Sequence, residues 1–219
     1  LIYVLSEVVM LVQKVTGQQQ LEWHPEGSVL AHTCLMLNSM QSPSPVLAWG
    51  ILLHDIAKPN THKVRGGRIT NYGHAEMGKS FAEVILRRLK FNAHWIKDIC
   101  TLVGEHMKYN QAKGMKLSTI KKMMARDTFD LELELHRLDC KHSSGDYSNY
   151  EHLVNIQNTT PEEQINPKLF INGQDLIDMG LERGPRIGDV LAELKDAQLE
   201  GKITSREQML EKARELIEE

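Results

Sequence analysis

Apolar residues recur at three- and four-residue intervals along most of the chain, and glycines, prolines and polar clusters interrupt them. The pattern predicts helices over 3–15, 28–41, 45–57, 74–90, 93–107, 117–126, 128–142 and 147–157. Shorter helices follow over 173–179, 187–199 and 204–218. Gly66 and Gly67, set between Lys63-Val64-Arg65 and Arg68-Ile69-Thr70, predict a small β-hairpin. Pro185 suits the first turn of a helix, and Thr204 with Glu207 has the spacing of a capping box. Residues 158–164 are polar and without period, which predicts a boundary between a body over 1–157 and a smaller helical subdomain over 158–219. The expected class is all-α, a helical bundle with a small β-hairpin insert.

Several predicted stripes carry a polar residue where an apolar one belongs. His32 shares a face with Val29, Thr33, Met36 and Met40. His74 opens the stripe of Met77, Phe81, Val84, Ile85 and Leu89. His106 continues that of Trp95, Ile99, Leu102 and Val103, and Asp139 that of Leu131, Leu135 and Leu138. The segment from Pro45 to Leu53 is apolar almost all round, the mark of a buried helix, yet His54 and Asp55 follow it directly. A carboxylate taken out of water must be paired or bind a cation. Imidazole and carboxylate together are ligands for Zn, Mn, Fe, Ni or Co, with Mg also admissible, as one or two ions. The two oxygens of Asp55 could bridge a pair of ions. Any one of these histidines alone is more often a hydrogen-bonded core residue; the argument rests on the set of His32, His54, Asp55, His74, His106 and Asp139. His136 shares a face with Asp139 and competes for a place in it.

Composition narrows the function classes. Of 219 residues, 41% are hydrophobic and 25% charged, ordinary globular values, and the formal charge of −3 excludes a wholesale polybasic nucleic-acid binder. Three cysteines without a C-x-x-C pair exclude a disulfide framework and a zinc ribbon. The reading is a cytoplasmic protein with no membrane partner, since no apolar run approaches the roughly 18 residues of a span and no leader pattern opens the chain. A start at Leu1 rather than Met suggests a piece of something longer. Oligomeric state is not legible.

The order His32, His54-Asp55, Asp139 resembles the H…HD…D signature of the HD superfamily of metal-dependent phosphohydrolases, with Leu53-His-Asp-Ile-Ala-Lys-Pro59 as its most specific part. A narrower resemblance covers nearly the whole chain. Glu22-Trp-His-Pro-Glu-Gly27, Gly73-His74-Ala-Glu, Glu134-Leu-His-Arg-Leu-Asp139 and Ile171-Asn-Gly-Gln-Asp through Gly188 are similar to bacterial tRNA nucleotidyltransferases and poly(A) polymerases. In those enzymes an HD domain follows a polymerase head, and C-terminal helices help to grip tRNA. That head needs Gly-Ser followed by a D-x-D pair, which does not follow Gly27-Ser28 or occur elsewhere here. The expectation is that this polypeptide does not itself add nucleotides.

The resemblance implies hydrolysis of a nucleotide or RNA phosphate ester by metal-activated water. It implies His32, His54, Asp55 and Asp139 around a first ion and Asp55, His74 and His106 around a second, with Glu105 as a substitute ligand or a solvated acid. Asp55 and Lys58 carry the catalytic expectation. Lys58 lies on the face of the His54-Asp55 pair, where it binds substrate phosphate or pairs with Asp55 or Asp139. Lys108, Lys113, Lys116, Lys121, Lys122 and Arg126 form a stretch without an acid, which reads as RNA backbone contact or as a solvated face. Tyr109 could stack on a base, and Arg65, Arg68, Arg183 and Arg186 could meet phosphate; each also has a plain structural reading. The alternative to an enzyme is a non-catalytic, tRNA-binding body with a structural or vestigial metal site. A cyclic-dinucleotide phosphodiesterase is a weaker third reading, because a second histidine beside His106 is missing.

Overall fold

Side-chain caps set where the helices of the first core begin. Ser28 Oγ accepts from Ala31 N at 3.1 Å to start α1 (Val29–Asn38). Ser44 does the same for α2 (Pro45–Leu53), with Pro45 in the first turn. The computed structural model describes residues 28–42 and 44–218, without the side chains of Arg65 and Arg68. The helix expected over 3–15, the Glu22–Gly27 segment and those two arginine side chains lie outside the described residues.

The expected helix over 45–57 stops at Leu53. His54 to Ala57 form a turn, and a short α3 (Lys58–Thr61) follows. Bonds from Ile56 N to Leu53 O and from Lys58 N to Asp55 O tighten this stretch to 3₁₀-type closure. The hairpin forms as expected: β1 (Lys63–Arg65) pairs antiparallel with β2 (Arg68–Thr70), Val64 opposite Ile69. Gly66 (φ 55°) and Gly67 (φ 77°) take the two positive-φ positions that a two-residue turn of this kind requires.

Then come α4 (His74–Arg88), α5 (Ala93–Glu105, started by Asn92 Oδ1 on Trp95 N), a 3₁₀ stretch (His106–Gly114), α6 (Leu117–Met124) and α7 (Phe129–His142). After them lie α8 (Ser148–Thr159), α9 (Glu162–Ile165), α10 (Gly173–Asp178), α11 (Pro185–Leu199) and α12 (Arg206–Glu218). The described residues are therefore all-α with a small β-hairpin insert, as expected. Among them no helix is long and apolar enough to cross a membrane.

Two compact units divide the chain. One takes residues up to Lys113 with Thr128–His152; the other takes Gly114–Asp127 with Leu153 onward. In the first unit α4 packs on α5, α2 on α5, and α1 and α7 on α2. Leu53, Ile51, Leu86, Ile99, Val103 and Leu138 are fully buried in its core. The stripe expected on α4 is shifted. Gly78, Ala82 and Leu86 are buried below His74, whereas Met77 and Val84 are 38% and 66% exposed. Small residues at 78 and 82 let the neighbouring elements approach closely, so burial follows them rather than the larger side chains. The second unit has its own core of Leu176, Leu194, Met209 and Ala213. α6 belongs to it because Ser118, Lys121 and Lys122 bond Glu200, Leu199 O and Asp196 at the end of α11.

Gly50 fixes the spacing of α2 and α5. A Cβ there would lie 2.6 Å from Leu102 Cδ2 and 3.1 Å from Leu102 Cβ, with Leu102 itself buried. Gly50→Val is expected to cost at least about 2 kcal/mol of overpacking, read as a lowered urea midpoint with unchanged slope.

Candidate metal centre

Three helices and one turn converge on a single buried carboxylate. His32 comes from α1, His54 and Asp55 from the turn after α2, His74 from the first residue of α4, and His106 from the end of α5. All five are 5% exposed or less. Each imidazole gives its Nδ1–H to a backbone carbonyl: His32 to His142 O at 3.1 Å, His54 to Ile51 O at 2.7 Å, His74 to Asn71 O at 2.8 Å and His106 to Val103 O at 2.7 Å. A carbonyl can only accept, so each Nδ1 carries a hydrogen. In the neutral ring each Nε2 is then a lone pair, and all four point inward.

These lone pairs meet other acceptors. His54 Nε2 is 3.2 Å from Asp55 Oδ2. His74 Nε2 is 3.3 Å from Asp55 Oδ1 and 3.1 Å from His106 Nε2. His32 Nε2 is 3.1 Å from Asp139 Oδ1. Two acceptors at such distances repel unless a proton or a cation lies between them. Ligands held about 2.1 Å from one ion and roughly 100° apart sit about 3.2 Å from each other, which is the spacing seen. His32, His54 and Asp55 form one group with ligand atoms within 4.8 Å of one another, and Asp55, His74 and His106 form a second. The donor set is nitrogen and oxygen only, so the residues fit a divalent transition ion.

The electrostatics agree with that fit. Burial would raise the Asp55 carboxyl, but His54 and the Lys58 ammonium hold it well below the usual carboxylate range. Burial, helped by His54, pushes His106 down to about 3 against the pull of Asp55, so the ring is neutral at ordinary pH. Burial would likewise raise Asp139, but the bond from His32 keeps it low. Burial would lower His32, but Asp139 raises it. Asp139 thus draws His32 toward its protonated form, and His32 draws Asp139 toward its ionised one.

Asp139 stands beside His32 but outside both ligand groups, on the wall of the cleft. Lys58 Nζ lies 2.6 Å from Asp55 Oδ2, so the ion pair forms, and Lys58 also faces the cleft. Glu105 pairs with Lys108 and enters neither group. His136 is buried beside Cys140 Sγ (3.7 Å) and Tyr109, outside both groups as well.

The basic stretch does not act as one. Lys121 is buried and its amine caps α11 through Leu199 O at 2.9 Å, so it is not available to RNA. Lys122 pairs with Asp196 and Lys108 with Glu105, although both remain exposed. Lys113 and Lys116 are exposed, and Arg126 is half-buried. Tyr109 is fully buried and donates to Glu132 Oε2, which excludes base stacking. Arg186 caps α12 through Leu216 O and Ile217 O rather than standing ready for phosphate.

The sequence reading missed His142. Its carbonyl orients His32, and its ring bonds Ser39 Oγ at 2.8 Å. A carbonyl leaves no trace in residue type, but His142 three residues after Asp139 was a usable signal. It also missed Tyr72, an aromatic in the polar turn Asn71-Tyr72-Gly73.

The cleft at the centre measures about 690 Å³ and is lined by Asp55, Lys58, His74, His106 and Asp139 among others. Its acids are Asp55, Asp139 and Asp146, against the one ammonium of Lys58.

Comparison with known proteins adds a lineage. Residues 74–213 match the family model described as tRNA nucleotidyltransferase domain 2. The matched stretch contains His74, His106 and Asp139 and begins after His32, His54 and Asp55. The chain is 26% identical over 167 residues to the A-adding tRNA nucleotidyltransferase of Deinococcus radiodurans, covering 72% of this chain and 38% of that protein. It is 24% identical over 162 residues to the CC-adding tRNA nucleotidyltransferase of Thermus thermophilus, covering 72% of this chain and 37% of that protein. The chain thus spans well under half the length of either relative.

Two predictions follow from the shared carboxylate and from the His32–Asp139 pair. Asp55→Ala is expected to abolish binding of added Mn or Co, whereas His32→Ala and His106→Ala each remove one of two equivalents, counted by calorimetric titration. In metal-free protein, the Asp139 contribution to stability is full above its ordinary 3.8 and fades as pH falls through its lowered value. That of His32 is full below 6.5 and fades as pH rises through its raised value. The stability gap between the parent chain and Asp139→Asn, measured by urea unfolding, is therefore expected to be widest between about pH 4 and 6.5.

Proposed function

The chain belongs to the tRNA nucleotidyltransferase family, and on that premise we propose that its first unit is a metal-dependent phosphohydrolase of the HD type, acting on nucleotide or RNA phosphate esters. The observation that carries the reading is the set of four inward Nε2 lone pairs around the buried Asp55, at the floor of an open cleft. A purely structural core would satisfy these atoms with donors; instead His54 Nε2 receives no hydrogen bond.

His32, His54, Asp55, His74 and His106 would hold one or two divalent ions, with Asp139 closing the first site from the cleft wall. Mn, Ni, Co, Fe and Zn all suit this donor set, and Mg is admissible. A bound ion supplies charge neutralisation at the phosphate and an activated water. The chain's own residues do the rest. The carbonyls of Ile51, Asn71, Val103 and His142 fix ring tautomer and direction. Lys58 screens Asp55 and reaches toward a substrate phosphate from the same wall.

The cleft's charge balance supports the order of events. With three acids and one ammonium in its lining, a phosphate enters favourably only once a cation has offset the acids. Activity is thus expected to require added metal rather than merely improve with it. For RNA substrates, the exposed Lys113 and Lys116 are the leading cations of the basic stretch; Lys108 and Lys122, held in ion pairs, and the half-buried Arg126 would contribute less, and tRNA is the natural partner to test.

The test is hydrolysis of a generic phosphodiester and a phosphomonoester by the purified chain across Mn, Co, Ni, Zn and Mg. Turnover that needs metal and falls at least a hundredfold in Asp55→Ala supports the reading. tRNA binding that persists in Asp55→Ala, with no turnover under any metal, would replace it with an RNA-gripping body whose metal site is structural.

A further inference from the structure

Tyr72 is 88% exposed, the most exposed large hydrophobic side chain among the described residues, and it lines the cleft of the metal centre. It sits in the turn between the hairpin and α4. Gly73, at φ 81°, closes that turn and directly precedes His74. The chain therefore holds an aromatic side chain two residues from a candidate ligand, with their Cα atoms at most about 7 Å apart.

The rest of the cleft fits the same occupant. Met107, 42% exposed, lines it too and directly follows His106. Each of two candidate ligands thus has an exposed apolar neighbour in sequence, His74 through Tyr72 and His106 through Met107. Asn110 and Gln111 add exposed side-chain amides to the lining, groups that both donate and accept. At about 690 Å³ the cleft lies within the roughly 300–1,000 Å³ of sites that hold ligands of nucleotide size. A site for inorganic phosphate or a simple alkyl ester has no use for an exposed tyrosine.

We infer that Tyr72 is a stacking platform for the base of a nucleotide whose phosphate reaches the metal centre, so that the cleft selects esters carrying a nucleobase over esters that carry only a sugar or an alkyl group. This rests on the phosphohydrolase reading for the role of the centre, but base recognition is separable from turnover. Stacking on an aromatic side chain tolerates any base, so the selection is for a base as such rather than for one sequence. Tyr72 acts as a binding residue and leaves bond cleavage to the centre beneath it.

The experiment compares adenosine monophosphate with ribose 5-phosphate, by calorimetric binding and by turnover, in the metal-loaded parent chain and in Tyr72→Ala and Tyr72→Phe. The parent chain is expected to bind the nucleotide about tenfold tighter. Tyr72→Ala should erase that gap by weakening nucleotide binding about tenfold, and Tyr72→Phe should keep it. Equal affinities in the parent chain, or a gap that survives Tyr72→Ala, would overturn the inference while leaving the hydrolase reading intact. A Tyr72-dependent gap without any turnover would overturn the hydrolase reading alone.

Discussion

Four backbone carbonyls, each able only to accept, decide the chemistry of this protein's interior. By taking the Nδ1 hydrogens of His32, His54, His74 and His106 they leave every neutral ring with its Nε2 lone pair turned inward, three toward Asp55 and that of His32 toward Asp139. Apolar packing alone would not gather so many acceptors, because each one stripped of water costs free energy unless something positive answers it. The Lys58 ammonium answers for one oxygen of Asp55, and His32 Nε2 stands against Asp139 Oδ1. Neither reaches the Nε2 pair of His74 and His106, which face each other at 3.1 Å.

The helices serve this arrangement through where they end. Three of the four rings lie at a helix boundary: His54 just past α2, His74 opening α4 and His106 closing α5. In two of these the accepting carbonyl lies three residues back in the final turn, at Ile51 and Val103. Such carbonyls lack an intrahelical partner in any case. A helix end thereby solves its own capping problem and aims a ligand with one bond. The tightened turn after Leu53 serves Asp55 in the same way. It divides the two oxygens, one toward His54 and Lys58 and the other toward His74.

Much of this was legible beforehand. The hairpin at Gly66 and Gly67, the extents of α1, α5 and α7, and the inward side of His32 and His106 all follow from periodicity and turn chemistry. The α4 stripe was misjudged because Gly78 and Ala82 look like filler in a sequence, whereas in packing they are where neighbours come closest. The stretch with Lys121 and Lys122 read as a basic face because residue type reports charge and not the partner across the fold; Leu199 O and Asp196 are 78 and 74 positions away. The orienting carbonyls were invisible for a deeper reason. Every residue has one, so only geometry reveals which of them matters.

The second unit is assembled from two stretches separated by residues 128–152. Translation delivers Ser118, Lys121 and Lys122 many residues before Glu200, Leu199 and Asp196, so during synthesis α6 exits the ribosome without the helix end it will cap. The unit can close only once the residues through Glu200 have emerged, while the centre around Asp55 has all its groups in hand by Asp139 and His142. Biogenesis therefore has a built-in sequence: the pocket's ligands are all available before the second unit can be completed.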